Sequence, residues 1–370
     1  MPFRIATFNV ENLMNRFDFS GFRNQLLQDR ALSLFEIRDE ADYRQLEMAR
    51  AIAHADDTRQ LSALAIAATR ADIICLQEVD NLAALQAFEY GYLYKMVGSG
   101  YRHKFTTPGN DGRGIDVAIM LREETRDGQP IEVEEMVSHA HVTFEEFGLF
   151  TPALAEMGVD PASRIFRRDC LELRVRIGGM PLTVYCVHFK SMGPPRGGIP
   201  GREATMPMRI AEASAVRRII EERYGVERAG HERWIVAGDF NDYRERVVIS
   251  EDEAGDYAFE VRRETGTSVD VLAAEGFGEN MVERRPDLDR WTLFHSRGPQ
   301  ERHLCQLDYL IASQALADAN RGAMPDIFRN GQPHRTIFPP GQDVERYPRT
   351  GWDRPKASDH CPVAVSLSLA

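Results

Sequence analysis

Residues 234–242 read WIVAGDFND: apolar side chains from Trp234 to Ala237, then Gly238, then Asp239, Asn241 and Asp242 around Phe240. The first half has the composition of a buried strand, and the second releases polar side chains at its tip. Alternation in an extended segment puts Ile235, Ala237, Asp239 and Asn241 on one face. A carboxylate and an amide two residues apart at a strand end can grip one small charged target together. Gly238 leaves room for another backbone or a ligand to come close. Taken alone, the stretch also fits a strand running into an Asx-type turn, because Asp and Asn favour turns for local reasons.

Upstream, FRIATFNV (residues 3–10) places Phe3, Ile5, Thr7 and Asn9 on one face, with Glu11 and Asn12 directly after. Residues 21–70 lack Pro, are rich in Leu, Ala, Glu, Arg and Gln, and read as helical, RQLSALAIAATR (59–70) being the clearest amphipathic piece. DIICLQEV (72–79) follows as a strand with Ile74, Leu76 and Glu78 on a shared face. GRGIDVAIMLR (112–122) is a further strand with Arg113 and Asp116 near its start. CLELRVRI (170–177) pairs across a Gly-Gly turn with LTVYCVHF (182–189), which aligns Val184, Cys186 and His188. A Gly/Pro-rich loop and a helix through Arg223 then lead to residue 234. Beyond Glu251 the chain is polar until QLDYLIA (306–312), a Pro/Arg-rich stretch fills 324–356, and SDHCPVAVSLSL (358–369) ends it as a strand. Residues 125–168 have weak periodicity and scattered acids. His139-Ala-His141 has a ligand-like spacing, but without a supporting Cys or Asp set it reads as part of a solvated insertion. The expected organisation is one domain over 1–370, with a helical insertion at 20–60 and loop insertions at 125–168 and 324–357.

Composition narrows the class. The 370 residues are 43% hydrophobic and 28% charged, as in an ordinary globular protein, with a net charge of −12. Such a charge opposes sequence-blind binding to duplex nucleic acid, though it leaves room for a local basic groove. No cationic segment followed by an apolar run opens the sequence, and no stretch of 18 apolar residues offers a membrane span. The five cysteines are odd in number, far apart and without a CxxC, which points to buried thiols in a reducing, cytoplasmic setting. Nothing in the sequence identifies a protein partner.

Four strands carry polar residues at their carboxyl ends: Asn9, Glu78, His188, and Asp239 with Asn241. Two carry them at their amino ends: Asp308, and Asp359 with His360. If the last two strands run opposite to the first four, all six sets lie on one edge of mixed sheets packed face to face. FNVEN, LQEVD, VHFKS, AGDFND, QLDYL and SDHCPV, in that order, resemble the motif series of the endonuclease/exonuclease/phosphatase superfamily across residues 9–363.

That resemblance implies a four-layer α/β sandwich of two mixed β-sheets, helices outside, and one site at the sheet edge that cleaves phosphoester bonds with a divalent cation. It implies Glu78 as the principal carboxylate ligand of Mg²⁺ or Mn²⁺, with Asn9 and Asp359 close to the ion or its waters. Asp239 would orient and deprotonate the attacking water, Asn241 would hold the phosphate, and His360, steadied by Asp308, would contact phosphoryl oxygens. His188 matches the histidine branch, which includes pancreatic-type deoxyribonucleases, sphingomyelinases and inositol-phosphate phosphatases; apurinic endonucleases have a tyrosine there. Glu11 stands two residues after Asn9 where some relatives have Asp, and its longer side chain could reach the surroundings of the ion.

Elementary chemistry agrees: phosphoryl transfer needs neutralised non-bridging oxygens and an in-line nucleophile, and oxygen ligands suit Mg²⁺. The substrate expected is a phosphoester, with nucleic acid among the candidates, and the leading reaction is that of a phosphodiesterase or nuclease. A phosphomonoesterase or lipid/inositol-headgroup phosphatase is the alternative on the same bond type. A non-catalytic phosphate-binding scaffold is the alternative of another class, disfavoured by the intact Glu78, His188, Asp239, Asn241 and His360. Arg113, Arg196, Arg335 and Arg354 are candidates for binding the substrate's anionic groups, and would otherwise be solvated surface charges. No aromatic–basic interleaving of the kind that stacks single strands is visible along the sequence.

Overall fold

The alternation read in residues 3–9 and 235–239 is what stacks the molecule. The computed structural model describes residues 2–13, 38–42, 56–98, 100–195, 197–298 and 301–369. One six-stranded sheet contains β1 (Pro2–Leu13), β2 (Ile73–Val79), β3 (His103–Thr106), β4 (Asp116–Leu121), β15 (Asp326–Ile327) and β16 (Val363–Ser368), in the order β15-β16-β1-β2-β4-β3. The other contains β5 (Ile131–Ser138), β6 (Leu171–Ile177), β7 (Met180–His188), β8 (Trp234–Asp239), β11 (Gly278–Asn280) and β14 (Asp308–Ser313), in the order β11-β14-β8-β7-β6-β5. Phe3, Ile5 and Cys75 from the first sheet meet Val184, Cys186, Ile235 and Ala237 from the second in one buried core. The opposite rows turn outward. Ala6, Phe8 and Leu76 pack under Leu61 and Ile66 of α1 (Asp56–Thr69), and Tyr185, Trp234 and Val236 under Ala213, Val216 and Ile220 of α2 (Met206–Tyr224). Helix, sheet, sheet, helix is the four-layer α/β sandwich, held because each strand has two apolar rows to bury, each large side chain contributing about 1.5–3 kcal/mol.

Strand directions set the polar edge. β1 and β2 are parallel, as are β7 and β8, while β16 runs antiparallel to β1 and β14 antiparallel to β8. The carboxyl ends of four strands and the amino ends of two therefore share one edge.

Two regions differ from expectation. Residues 125–168 are not a solvated loop: β5 forms the edge of the second sheet, and Val142, Phe144, Leu154, Ile165 and Phe166 are buried on its helix side. A register shift between Val133 and Glu135 breaks the strand's period and hides it among glutamates. His139 Nε2 lies 2.9 Å from Glu172 Oε2, and His141 is exposed. The stretch beyond Glu251 that reads as polar joins the residues just before it in a third, antiparallel sheet of β9 (Glu245–Glu251), β10 (Tyr257–Arg263), β12 (Leu293–Ser296) and β13 (Arg302–Cys305), ordered β10-β9-β13-β12. Only one of its faces is apolar. Val247, Ile249, Phe294 and Leu304 pack against Phe338 and neighbouring Ile337 and Val344 of the 324–357 segment, whereas Glu260 and Arg262 stay exposed and mask the pattern. The helical insertion expected at 20–60 lies largely outside the described residues. All five cysteines are buried and free, and among the described residues no helix is long and apolar enough to cross a membrane.

Gly238 shows how tightly β7 and β8 approach at the edge: a Cβ there would sit 1.9 Å from the carbonyl oxygen of Val187. Neither strand can yield without disturbing His188 or Asp239, its immediate neighbours. Gly238→Ala should therefore destabilise the fold by at least ~2 kcal/mol, the scale of overpacking in a core. Urea unfolding measures it, and an unchanged midpoint would contradict this packing.

Candidate active site

β7, β8 and β14 lie side by side with His188, Asp239 and Asp308 in register across them. Each is the polar end of an otherwise apolar inward row, so all three are brought to the seam between the sheets. Asp239 is only 1% exposed and collects donors from both sheets. Asn9 Nδ2 donates to its Oδ2 at 3.0 Å, and Asn241 Nδ2 to the same oxygen at 3.1 Å. The Asn241 backbone N–H donates to Oδ1 at 2.7 Å. His188 Nε2 and His360 Nε2 stand 3.5 and 3.8 Å from Oδ2. Burial pushes the Asp239 carboxyl up to about 7, against the charge of His360 and with that of Asp308.

The two imidazoles are driven apart. Burial, then the charges of Arg168, Arg113 and His360, push His188 well below its ordinary range, so it is neutral. Burial also opposes charge on His360, yet Asp308 and Asp239 outweigh it and push it well above. His360 Nδ1 donates to Asp308 Oδ2 at 2.8 Å, which fixes the ring with Nε2 toward Asp239. The Ser358 hydroxyl donates to the Asn9 carbonyl at 2.7 Å and accepts the His360 backbone N–H at 3.0 Å, tying the last strand's entry to β1.

Glu78 departs from the alternation of its strand. Ile74 and Leu76 of its row face α1, so strict alternation would turn it away from the seam. A register shift between Gln77 and Val79 and a left-handed backbone at Glu78 (φ 66°) release it. Its Oε2 accepts the Asn12 N–H at 3.0 Å. Glu11, Asn12 and Asn241 share the left-handed region at φ 50°, 64° and 49°, a concentration of backbone strain at one edge.

The remaining candidates have varied surroundings. Glu11 Oε2 accepts the Asp359 N–H at 3.0 Å and faces Lys356 Nζ at 3.2 Å, while Arg354 Nη2 donates to its Oε1 at 2.5 Å. Arg354 is thus joined to the carboxylate beside Asp359. Burial raises the Glu11 carboxyl; at Asp359 burial acts the same way, but Lys356 and His360 outweigh it and hold the group low. Arg113 is clamped by Asp111 and lines a cavity of about 220 Å³ with Arg167, Arg168 and Lys190. Arg335 is paired with Asp353 at 2.5 Å, and Arg196 lies outside the described residues. Asp242 is held by Arg202 and Ser268 away from this cluster. Arg168 and Lys190 escaped the sequence reading. Their signals were RRD directly before CLELRVRI and the second residue after His188 in VHFKS.

Glu78, Asp359 and the Asn9 amide provide oxygen donors only. Among the described residues no three His, Cys, Asp or Glu side chains cluster as a metal cage. That set fits Mg²⁺, which keeps several waters and needs few protein ligands, and does not fit a closed zinc centre.

A sandwich whose polar strand ends meet as carboxylates, amides and imidazoles around a buried aspartate defines a hydrolase of phosphoester type. The Endonuclease/Exonuclease/phosphatase family profile matches residues 6–360, and the chain belongs to that family. Among solved structures, truncated TDP2 from Caenorhabditis elegans is 14% identical with a TM-score of 0.48, covering 99% of this chain and 98% of its own. The human Nocturnin catalytic domain with bound sulfate is 13% identical (TM-score 0.49; 99% and 94% covered). A family protein from Leptotrichia buccalis is 12% identical (TM-score 0.48; 99% and 99% covered). At these identities the likeness bears on neither substrate nor partner. No curated protein sequence matches this chain significantly.

Glu212 of α2 supports the site from behind: fully buried, it accepts the Lys190 backbone N–H at 2.6 Å. Burial raises its carboxyl to about 7, opposed by that hydrogen bond. The unfolded chain ionises this group more easily, so stability is lost as pH rises from about 4 toward 7 and stays lost above. Glu212→Gln should be more stable than the parent by roughly 2–3 kcal/mol at pH 8 and near parity at pH 4. Urea unfolding at the two pH values checks this; an equal difference at both would contradict it.

Proposed function

We propose that this chain is a divalent-metal-dependent phosphodiesterase that cleaves a nucleic-acid strand by in-line attack of water. The observation that carries the reading is Asp239 Oδ2, buried and ringed by Asn9, Asn241, His188 and His360 at 3.0–3.8 Å. Glu78, with Asn9 and Asp359, would hold Mg²⁺ or Mn²⁺, which when bound neutralises charge on the phosphoryl oxygens. Asp239 orients the attacking water and accepts its proton, and the donors around it keep the carboxylate pointed at one place. The His360 imidazolium, braced by Asp308, donates from Nε2 to a non-bridging oxygen as charge builds there. His188 and Asn241 supply further donors on the same side of the seam.

A nucleic-acid strand is supported by the cavity formed with Arg113, Arg167, Arg168 and Lys190. Four cations facing one carboxylate, Asp111, form a local basic patch on an acidic protein, suited to a second phosphate. The test is a hydrolysis panel with Mg²⁺ and with Mn²⁺: a bis-aryl phosphate diester, an aryl phosphate monoester, single-stranded DNA, RNA, plasmid and inositol phosphates. Oligonucleotide and diester turnover is expected, to be abolished by EDTA and restored by the ion; full activity in chelator, or preference for the monoester, overturns the assignment. Asp239→Asn should lower kcat by at least ~100-fold, the usual scale for a general base. Near-normal turnover would remove Asp239 from that role.

A further inference from the structure

The apolar face of the third sheet is only partly covered by segment 337–344. At its far end Tyr257 of β10, Phe294 and Ser296 of β12, and Arg302 of β13 diverge from His334, Arg335, Thr336 and Trp352 to leave a cavity of about 490 Å³. We propose that this cavity seats a nucleobase of the substrate, adjacent to the phosphoester being cleaved; the inference rests on the phosphodiesterase reading above and names the substrate's aromatic part.

Three observations carry it. The walls are aromatic and come from distant pieces of chain: Tyr257, Phe294, Phe338 and Trp352. Trp352 is 73% exposed and Tyr257 43%, a large exposed aromatic area on an otherwise polar surface. The cations present are already matched, Arg335 by Asp353 at 2.5 Å and Arg302 by Glu251 at 2.8 Å. Their guanidinium groups lie over the rings of Phe294 and Tyr257 at 5.9 and 5.8 Å. Little positive charge is left for a phosphate, so the cavity suits a neutral planar ring better than an anion. Polar edges are available to it: the Thr336 hydroxyl is buried without a hydrogen-bond partner among the described residues, and Ser296 and Asp343 also line the space.

Position supplies the third. Leu293, the first residue of β12, bridges His360, and the Cys361 N–H donates to the Thr292 carbonyl at 2.7 Å. Gln332 Nε2, just ahead of the opposite wall, donates to the carbonyls of Ser358, Asp359 and His360 at 3.1–3.3 Å. Both walls thus spring from the backbone that carries the catalytic imidazole. Ser296 is three residues, roughly 10 Å, along the strand from Leu293. The cavity thus opens within a few residues of the His360 backbone, and its volume falls within the usual range for ligand pockets.

The experiment uses the full chain with Mg²⁺ and two substrates, an adenine dinucleotide and the same diester with abasic sugars. Base stacking on an aromatic side chain predicts a KM lower by about tenfold for the dinucleotide. Trp352→Ala should erase that difference and leave kcat and the abasic KM unchanged; equal KM values in the parent, or an equal effect of the substitution on both diesters, overturns the pocket. A binding arm stands apart from turnover. A 2-aminopurine dinucleotide titrated with Asp239→Asn should lose fluorescence on stacking, and should not when Trp352→Ala is added. If neither diester is hydrolysed, the proposed reaction fails; the quenching result then still decides for or against the base site.

Discussion

A carboxylate buried at the junction of two sheets must be surrounded by donors or surrender its charge, because leaving it bare in a low-dielectric interior costs several kcal/mol. Asp239 is in that position, and its donors cannot come from one sheet alone. Asn9 reaches it from β1 of the first sheet, while His188 and Asn241 approach from the second. The polar contact that satisfies the aspartate therefore also pins one sheet to the other at the edge. Strand direction, inward alternation and the close approach of β7 to β8 at Gly238 all serve that arrangement. The two imidazoles complete it by dividing into a neutral and a charged form on either side of one oxygen.

Much of this was legible in the sequence for a simple reason. Asn9, His188 and Asp239 each end an inward apolar row in a regular strand, so period-two counting finds them. Glu78 is found by its place at a strand's carboxyl end and by its motif, but period-two counting sets it with Ile74 and Leu76 on the helix side and only a left-handed bulge breaks that count. The third sheet was hidden because its exposed face is charged, so average polarity outweighed alternation in ERVVISE and YAFEVRR. The strand at 131–138 was hidden by its bulge. The aromatic cavity could not be read at all: Tyr257, Phe294, Phe338 and Trp352 are far apart along the chain and become neighbours only after the sheet folds onto segment 334–352.

The electrostatics show a related separation of scales. A net charge of −12 describes the whole surface, yet the field at the site is set by side chains within a few ångströms. Arg168, wholly buried and donating to the Phe189 carbonyl at 3.1 Å, is held rigidly enough to act as a fixed positive charge. Global acidity and a local cationic cavity are compatible because solvent and salt screen distant charges, whereas the cations that line the cavity act at contact distance.

β8 and β14 are hydrogen-bonded neighbours, with Asp239 opposite Asp308. The chain between them builds the third sheet and returns once to the sandwich on the way, where β11 pairs with β14 and Leu272, Phe277 and Met281 are buried in the two cores. In topological terms the third sheet is two excursions on either side of β11, one carrying β9 and β10 and the other β12 and β13, and the entropy of closing a loop grows only slowly with its length. The two hairpins β9–β10 and β12–β13 can therefore be lengthened, trimmed or exchanged with little thermodynamic consequence for the layers that hold the aspartate. The third sheet is in this sense an annex to the two sheets that hold the aspartate, meeting them at the polar segment around Asn241 and through the backbone bridge from Leu293 to His360.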